Sequence, residues 1–206
     1  MRRIMTIIMC LLLTVPALAQ QVIIAKKKSG GGAVAVTDNF DRTDANPIGG
    51  NWSVPTGGAA LKILSNVVTG TVDETTDNLS YWNADTFAND QYSQAVITGD
   101  NVGVAVRMAT GALTYYAFIH TTGDQFEVHE VTTGTWAKLG DTYAETYTPG
   151  DTIKLTISGS TLTPYLNGSA LATRSDSSIS SGSAGIVIAT PFPTSQTINN
   201  WAGGDL

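Results

Sequence analysis

The side chains of this 206-residue chain that are best suited to chemistry include the run Glu127-Val128-His129-Glu130. Hydrolysis of a glycosidic bond commonly uses two carboxylates that flank the bond. Successive side chains of a strand point to opposite faces, so Glu127 shares a face with His129 while Glu130 points away. The two glutamates therefore cannot act together on one sugar bond, and this run favours solvated strand residues over a catalytic pair.

The other reactive residue types exclude several further reactions. The single cysteine, Cys10, lies in the apolar N-terminal run, and two histidines without cysteine partners make a poor zinc set. The chain contains no Gly-x-Ser-x-Gly sequence, so a nucleophile elbow is not expected. A His–Tyr pair can abstract and return a proton, which leaves lyase chemistry open as an alternative.

Alternation within successive short runs predicts a row of polar and aromatic side chains along one sheet face. The predicted row comprises Arg107, Tyr116 or His120, Glu127, His129, Lys154 and Tyr165. Aromatic rings flanked by polar groups suit sugar docking, although every half-exposed sheet has a polar face and tyrosine is a good strand residue. All of these residues except Lys154 are our candidate ligand-binding residues.

The segment 151–173 indicates what kind of element must position these side chains. Ile153, Leu155 and Ile157 alternate with polar residues, and Asn167-Gly168 suits a two-residue hairpin turn. The pattern predicts antiparallel strands with one apolar face. An apolar face needs a second sheet to cover it, so we predict an all-β sandwich of two antiparallel sheets.

Similar runs recur about every ten residues, and no convincing helical period is present. We predict strands near 59–65, 67–71, 79–82, 92–99, 102–109, 113–121, 124–131, 135–143, 152–158, 161–167, 170–174, 184–190 and 197–202. The predicted core residues are Trp52, Trp82, Phe118, Phe126, Leu155, Leu166 and Ile186.

Several short blocks also follow one another in a recognisable order. They include Asp38-Asn39-Phe40, Gly50-Asn51-Trp52, Ser80-Tyr81-Trp82, Tyr165-Leu166-Asn167-Gly168 and Asn200-Trp201-Ala202-Gly203-Gly204-Asp205. In this order, residues 38–206 resemble a bacterial family of secreted concanavalin A-like (laminin-G-like) jelly-roll domains. The resemblance implies a two-sheet antiparallel jelly roll whose first and last strands lie side by side.

The same resemblance suggests a structural metal ion. Related sandwiches often hold the paired terminal strands with an oxygen-ligated ion, and such pairing would bring Asp38 and Asp205 close together. Hard cations prefer carboxylate and carbonyl oxygens. We therefore predict these two aspartates as candidate Ca²⁺ ligands, and no other cofactor is required.

The N-terminal region does not read as part of the sandwich. Residues 1–19 have a charged start, an apolar run and small residues at 17–19, which is typical of a bacterial signal peptide and predicts a secreted or periplasmic protein. The apolar run is shorter than the roughly 18 residues of a membrane span. Residues 20–36 are basic and glycine-rich, which predicts a flexible arm. Alternatively, Val22–Ile24 or Ala33–Val36 could add a strand to the sheet of a neighbouring subunit. The jelly-roll domain then covers 37–206.

Composition and resemblance together order the functional hypotheses. A formal net charge of −6 argues against binding to nucleic acid or anionic membranes. The first hypothesis is a secreted, non-catalytic module that binds a polysaccharide or glycan. The alternative is a structural or assembly subunit of an extracellular structure that self-associates through residues 20–36. A glycan-cleaving enzyme is the third hypothesis.

Overall fold

A computed structural model describes residues 33–71, 76–190 and 195–206 of the chain. Across these ranges the chain forms strands and turns, and no helix is long and apolar enough to cross a membrane. The predicted signal peptide and Val22–Ile24 lie outside the described residues, as does most of the predicted arm.

The first sheet contains nine strands. In spatial order these are β14 (Ser169–Ala170), β13 (Thr161–Leu166), β12 (Thr152–Ser158), β6 (Gln91–Thr98), β17 (Thr197–Asp205), β4 (Val67–Gly70) and β3 (Leu61–Leu64), with β1 (Ala35–Asp38) on β17 and β15 (Arg174–Ser175) on β13.

The second sheet contains eight strands. In spatial order these are β10 (Thr135–Lys138), β9 (Gln125–Thr132), β8 (Tyr115–His120), β7 (Val102–Met108), β16 (Ser183–Ile188), β5 (Asn78–Trp82) and β2 (Trp52–Ser53), with β11 (Tyr143–Ala144) on β9. The paired strands of both sheets run antiparallel, as predicted.

The main core lies between the two sheets and confirms the alternation in the sequence. Ile153, Leu155 and Ile157 of β12 are completely buried, opposite Leu166, Pro164 and Leu162 of β13. Burying one such aliphatic side chain contributes roughly 1.5–3 kcal/mol. All seven predicted core residues are buried: Trp52, Trp82, Phe118, Phe126, Leu155, Leu166 and Ile186.

A cluster of indole rings joins the two sheets near both terminal strands. Trp201 of β17 lies 4.6 Å from Trp52 and 5.4 Å from Trp82, measured between ring centroids. Its indole N–H donates to the Ser93 hydroxyl at 2.8 Å, and that hydroxyl donates to the Gly185 carbonyl at 2.7 Å. Ser93 lies in the first sheet and Gly185 in the second, so this buried hydrogen-bond chain crosses the sandwich.

The terminal strands pair as the resemblance implies, but the domain begins earlier than predicted. Ala35 lies opposite Gly204 and Asp38 opposite Trp201, so β1 and β17 are neighbours. Val36 is only 4% exposed and belongs to the main core. The prediction that Ala33–Val36 could serve a neighbouring subunit is therefore wrong, because this segment completes the sheet of its own chain.

Two predicted strands are each interrupted, and two short strands, β1 and β2, are absent from the prediction. The segment 135–143 forms β10 and β11 separately, and between them Gly140 has a φ of 75°, which strand residues do not adopt. The segment 170–174 likewise divides into the ends of β14 and β15. The two-residue β2 is too short to carry an alternation, and most of β1 lies in or next to the segment assigned to the arm.

Candidate functional site

Tyr116 and His120 lie in the interior of the sandwich, where both are completely buried. Antiparallel pairing places Ala117, not Tyr116, opposite His129. Residues paired across strands share a face, so His129 and Glu127 lie on the outer face of the sheet. Tyr116 and His120 lie on its inner face. The prediction of one shared ligand-binding row is therefore wrong for Tyr116 and His120.

Both interior side chains hold loops in place. The Tyr116 hydroxyl donates to the Asp176 carboxylate and accepts from the backbone N–H of Ile179 at 3.0 Å. The two ring nitrogens of His120 lie 2.8 and 2.6 Å from the carbonyl oxygens of Gly99 and Gly123. These contacts give the two residues a structural role.

Arg107 is also buried, at 3% exposure, and is bound to backbone rather than offered to a ligand. Its guanidinium donates to the carbonyls of Asn89, Ile179 and Gly159 at 2.8–2.9 Å. The backbone of Arg107 has a φ of 50°, so the alternation of β7 ends at this residue. The prediction that Arg107 lies in the ligand-binding row is therefore wrong.

Tyr165 lies on the opposite side of the molecule from Glu127 and His129, since β13 belongs to the first sheet. The ammonium of Lys154 lies 5.6 Å from the centroid of the Tyr165 ring and 4.5 Å from that of Tyr92. Such cation–π contacts stabilise an outer sheet face. Tyr165 cannot join a site on the second sheet, so its predicted place in the row is wrong.

Asp38 and Asp205 do not meet, although their strands pair. Asp38 lies opposite Trp201, four positions before Asp205, so antiparallel pairing sets the two carboxylates at opposite ends of β1. Asp38 accepts hydrogen bonds from Phe40 N, Arg42 Nη1 and Trp52 Nε1, and Asp205 accepts them from Val34 N and Ala88 N.

The prediction of a shared ion at these two aspartates is therefore wrong. In the part of the chain that the structure describes, no group of three or more His, Cys, Asp or Glu side chains is arranged to hold a metal ion. Calcium binding stays a prediction without assigned residues.

Glu127 and His129 do lie together, in a groove on the outer face of the second sheet. The groove has a volume of about 540 Å³. Its lining comprises Gly57, Thr76, Asp77, Asn101, Leu113, Ile119, Thr121, Glu127, His129, Gly134, Trp136, Ala189 and Thr190. We call this cavity the β9 groove.

The floor of the β9 groove adjoins a second apolar cluster on the same face. Its buried members are Leu79, Ala105, Met108, Tyr115, Ala117, Ile119, Val131 and Val187, with Tyr81, Leu113 and Trp136 packed against them. An apolar floor with a few polar groups at the rim is the usual composition of a small-molecule site.

Glu127 accepts hydrogen bonds from three side chains. It accepts from His129 Nε2 at 2.8 Å, Lys138 Nζ at 3.1 Å and Thr142 Oγ1 at 2.6 Å. Burial acts to raise the pKa of Glu127, but these hydrogen bonds outweigh it and hold the pKa below its ordinary value. The side chain is therefore a carboxylate at neutral pH.

His129 is neutral at the same pH. Burial, the largest effect, lowers the pKa of His129, and Lys138 lowers it further, against the raising effect of Glu127. The proton of the neutral ring lies on Nε2, because this nitrogen faces the Glu127 carboxylate. The pair therefore carries one negative charge, which Lys138 partly offsets.

Trp136 and Asp77 are groove residues that the sequence did not reveal. The Trp136 indole N–H donates to Asp77 Oδ2 at 2.7 Å, and Asp77 Oδ1 accepts from the Thr190 backbone N–H at 3.0 Å. Trp136 is half-buried, and its ring lies 5.1 Å from that of His129. The only signal for Trp136 was an aromatic residue within a predicted strand, and Asp77 lay outside every predicted strand.

No protein-family model and no curated protein matches the chain. Several solved structures, however, are similar to this chain in fold. The carbohydrate-binding module CBM66 from Bacillus subtilis is 16% identical, with a TM-score of 0.55, 75% of this chain covered and 92% of that chain covered. A β-1,3-1,4-glucanase (lichenase) from a mouse hindgut metagenome is 7% identical, with a TM-score of 0.55 and coverages of 83% and 98%.

A third solved structure is a Bacillus subtilis protein of unknown function with a galectin-like fold. It is 9% identical, with a TM-score of 0.56, 85% of this chain covered and 96% of that chain covered. Identities this low bear on the fold alone. The chain is therefore, as its sequence predicts, an all-β concanavalin A-like jelly-roll sandwich similar in fold to binding modules and glucanases.

Proposed function

We propose that this protein is a secreted, non-catalytic carbohydrate-binding β-sandwich that binds a glycan in the β9 groove. The observation that carries the proposal is the groove itself, where a half-exposed indole, two carboxyl side chains and threonine hydroxyls surround an apolar floor. The fold similarity to a carbohydrate-binding module supports it, and the N-terminal sequence supports secretion.

The groove offers each kind of contact that a sugar needs. The Trp136 ring gives an apolar surface for the C–H faces of a pyranose or furanose ring. A carboxylate has about four lone-pair positions, and Glu127 uses three of them within the protein. One position is left for a sugar hydroxyl, and Thr121 and Thr190 line the same groove.

The state of Glu127 favours binding over hydrolysis. A glycosidase needs a carboxylic acid whose pKa is raised so that it can protonate the leaving group. The pKa of Glu127 lies below its ordinary value. Glu130, the other glutamate of β9, accepts from Ser178 and Thr132 outside the groove lining, as the alternation along β9 predicts. We therefore assign no catalytic residue.

The experiment is a glycan array probed with the full chain, followed by calorimetric titration of the glycans that bind. Trp136→Ala and Glu127→Gln should each weaken binding by about tenfold or more, which corresponds to the loss of one good contact. Tyr165→Ala is the matched control, because it removes a half-exposed aromatic ring from the other sheet and should leave the affinity unchanged.

Two results would contradict the proposal. One is a folded wild-type chain that binds no glycan on the array, which would favour the assembly-subunit alternative. The other is unchanged affinity in both groove variants while their melting temperatures match that of the wild type.

A further inference from the structure

The β9 groove ends at a wall that three loops build together. The Thr56 backbone N–H donates to the Thr110 carbonyl at 3.1 Å, and the Gly134 N–H donates to the Leu113 carbonyl at 2.9 Å. Loops 54–58, 109–114 and 133–134 are thereby linked beside the ends of β7 and β9.

The side chain of Leu113 fills the middle of this wall. A Cβ atom placed on Gly57 or on Gly134 would lie 3.5 Å from carbon atoms of the Leu113 side chain. Each glycine therefore faces the Leu113 side chain across a space of about one methyl group. Leu113, Gly57 and Gly134 all line the groove, so these hydrogen-bonded loops bound it on this side.

A second boundary crosses the outer face of the second sheet. Trp136 lies on β10, and Asp77 immediately precedes β5, with β9, β8, β7 and β16 between these two strands in the sheet. Their side chains are nevertheless joined by a hydrogen bond of 2.7 Å. The backbone N–H of Thr190 donates to the same Asp77 carboxyl group at 3.0 Å and holds it in this position.

The size of the groove agrees with these boundaries. Its volume of about 540 Å³ falls within the range of roughly 300–1,000 Å³ that is typical of small-molecule sites. A cavity of this size accommodates a few sugar units. A polysaccharide that passed along the whole sheet face would need an open trough, which the wall and the Trp136–Asp77 bond interrupt.

The charge of the groove restricts the ligand further. Asp77 and Glu127 both line it, and among the described residues its lining includes no lysine or arginine. Lys138 lies outside the lining and is already bound to Glu127. A uronate or sulfate group would enter next to two carboxyl groups, and the ammonium of Lys138 is already paired with Glu127.

We propose that the β9 groove binds the uncharged terminal units of a glycan, in preference to internal stretches of a chain and to acidic glycans. This inference rests on the carbohydrate-binding function proposed above. The wall selects for a chain end because a terminal unit can point into it, whereas an internal unit has a neighbour on each side. The carboxylates accept hydroxyl hydrogen bonds and disfavour anionic sugars.

The test compares glycans that differ in one property at a time, using the full chain. Neutral oligosaccharides of glucose, mannose, galactose, xylose and fructose are tested beside oligogalacturonate and sulfated oligosaccharides. Each neutral polysaccharide that binds is then retested after limited endo-hydrolysis, which multiplies chain ends at constant sugar mass. We expect bound protein to rise in proportion to chain ends, and acidic oligosaccharides to bind at least about tenfold more weakly.

A wall variant separates shape from charge. Leu113→Ala should reduce the dependence on chain ends, because it opens the groove, while the preference for neutral sugars persists. Leu64→Ala, on the first sheet, is the control because Leu64 is 48% exposed. Should Leu113→Ala fail to fold, the hydrolysis comparison on the wild type decides by itself.

The outcomes distinguish a failure of this inference from a failure of the proposed carbohydrate-binding function. Binding that follows sugar mass instead of chain ends, or that favours oligogalacturonate, overturns the inference and leaves carbohydrate binding intact. A chain that is folded yet binds none of the glycans overturns both.

Discussion

His120 and Tyr147 stack face to face, with ring centroids 3.7 Å apart and planes 20° from parallel, and both hold the backbone of Gly99. Nδ1 of His120 lies 2.8 Å from the Gly99 carbonyl oxygen, and the Gly99 N–H donates to the Tyr147 hydroxyl at 2.7 Å. The turn between β6 and β7 is thus fixed from both sides. Asn101, which follows in this turn, lines the β9 groove.

Replacing His120 should destabilise the fold and disturb the groove. His120→Leu removes a completely buried imidazole whose two nitrogens lie against the carbonyls of Gly99 and Gly123, so we expect a loss of about 2–4 kcal/mol in the free energy of unfolding. Urea unfolding measures it. Tyr147→Phe removes only one hydroxyl and should cost about 1 kcal/mol. Equal losses in the two variants would contradict this account.

Arg107 should matter for stability and not for ligand binding. Arg107→Lys keeps the charge but cannot reach three carbonyls at once, and we expect a loss of about 3 kcal/mol. Arg174 offers a matched control, because it also donates to three carbonyls, those of Leu139, Thr173 and Asp141, at a more exposed position. Arg174→Lys should cost roughly 1 kcal/mol, since water replaces the lost partners. A larger loss at Arg174 than at Arg107 would refute the assignment.

The buried hydroxyl of Ser93 should be as important as a core methyl group. Ser93→Ala leaves both the Trp201 indole N–H and the Gly185 carbonyl without their partner, and we expect a loss of about 1–3 kcal/mol. Chemical denaturation measures the change. Ser158→Ala is the control because Ser158 is exposed and its hydroxyl donates to the exposed carboxylate of Asp90, and it should change stability by less than about 0.5 kcal/mol. A neutral Ser93→Ala variant would show that the hydrogen-bond chain does not stabilise the sandwich.

His129 should make the fold less stable as the solution becomes acidic. The pKa of His129 in the folded chain lies below its ordinary value of 6.5, so between these two values the unfolded chain binds more protons. The contribution of His129 is therefore complete above pH 6.5 and is lost as the pH falls through the lowered pKa. Unfolding free energies measured across this range should fall with pH more steeply in the wild type than in His129→Gln.

Glu127 should cause a second loss of stability, at a lower pH than His129. The pKa of Glu127 also lies below its ordinary value, 4.5, so its contribution is complete above that pH and is lost as the pH falls further. An NMR titration of the His129 ring gives a direct check on the first step. A midpoint above 6.5 would show that Glu127 dominates over burial at His129.

The sequence predicted the meander and the core because both depend on local alternation. Ile153, Leu155 and Ile157 face the interior for the reason that their spacing indicated. The row of candidate ligand residues failed because period-two alternation leaves open which of the two faces is the inner one. Tyr116 occupies the inner face of β8, whereas His129 occupies the outer face of β9.

The groove could not be derived from the sequence for a different reason. It depends on contacts between residues far apart in the chain, such as Trp136 and Asp77, which are separated by 59 positions. Arg107 was misplaced because its positive φ ends the alternation of β7, and no residue type near it announces that turn. Glu127 and His129 were correctly expected to share a face because they lie two positions apart in one strand.

The position of β17 governs the order in which this fold can assemble. It lies between β6 on one side and β1 and β4 on the other, although these partners precede it by roughly a hundred residues or more. During synthesis, β1, β4 and β6 lack their pairing with β17 until residues 197–205 have been made. A chain that ends before residue 197 leaves the edges of β6 and β4 unpaired. Unpaired strand edges promote aggregation and are the kind of surface that chaperones bind.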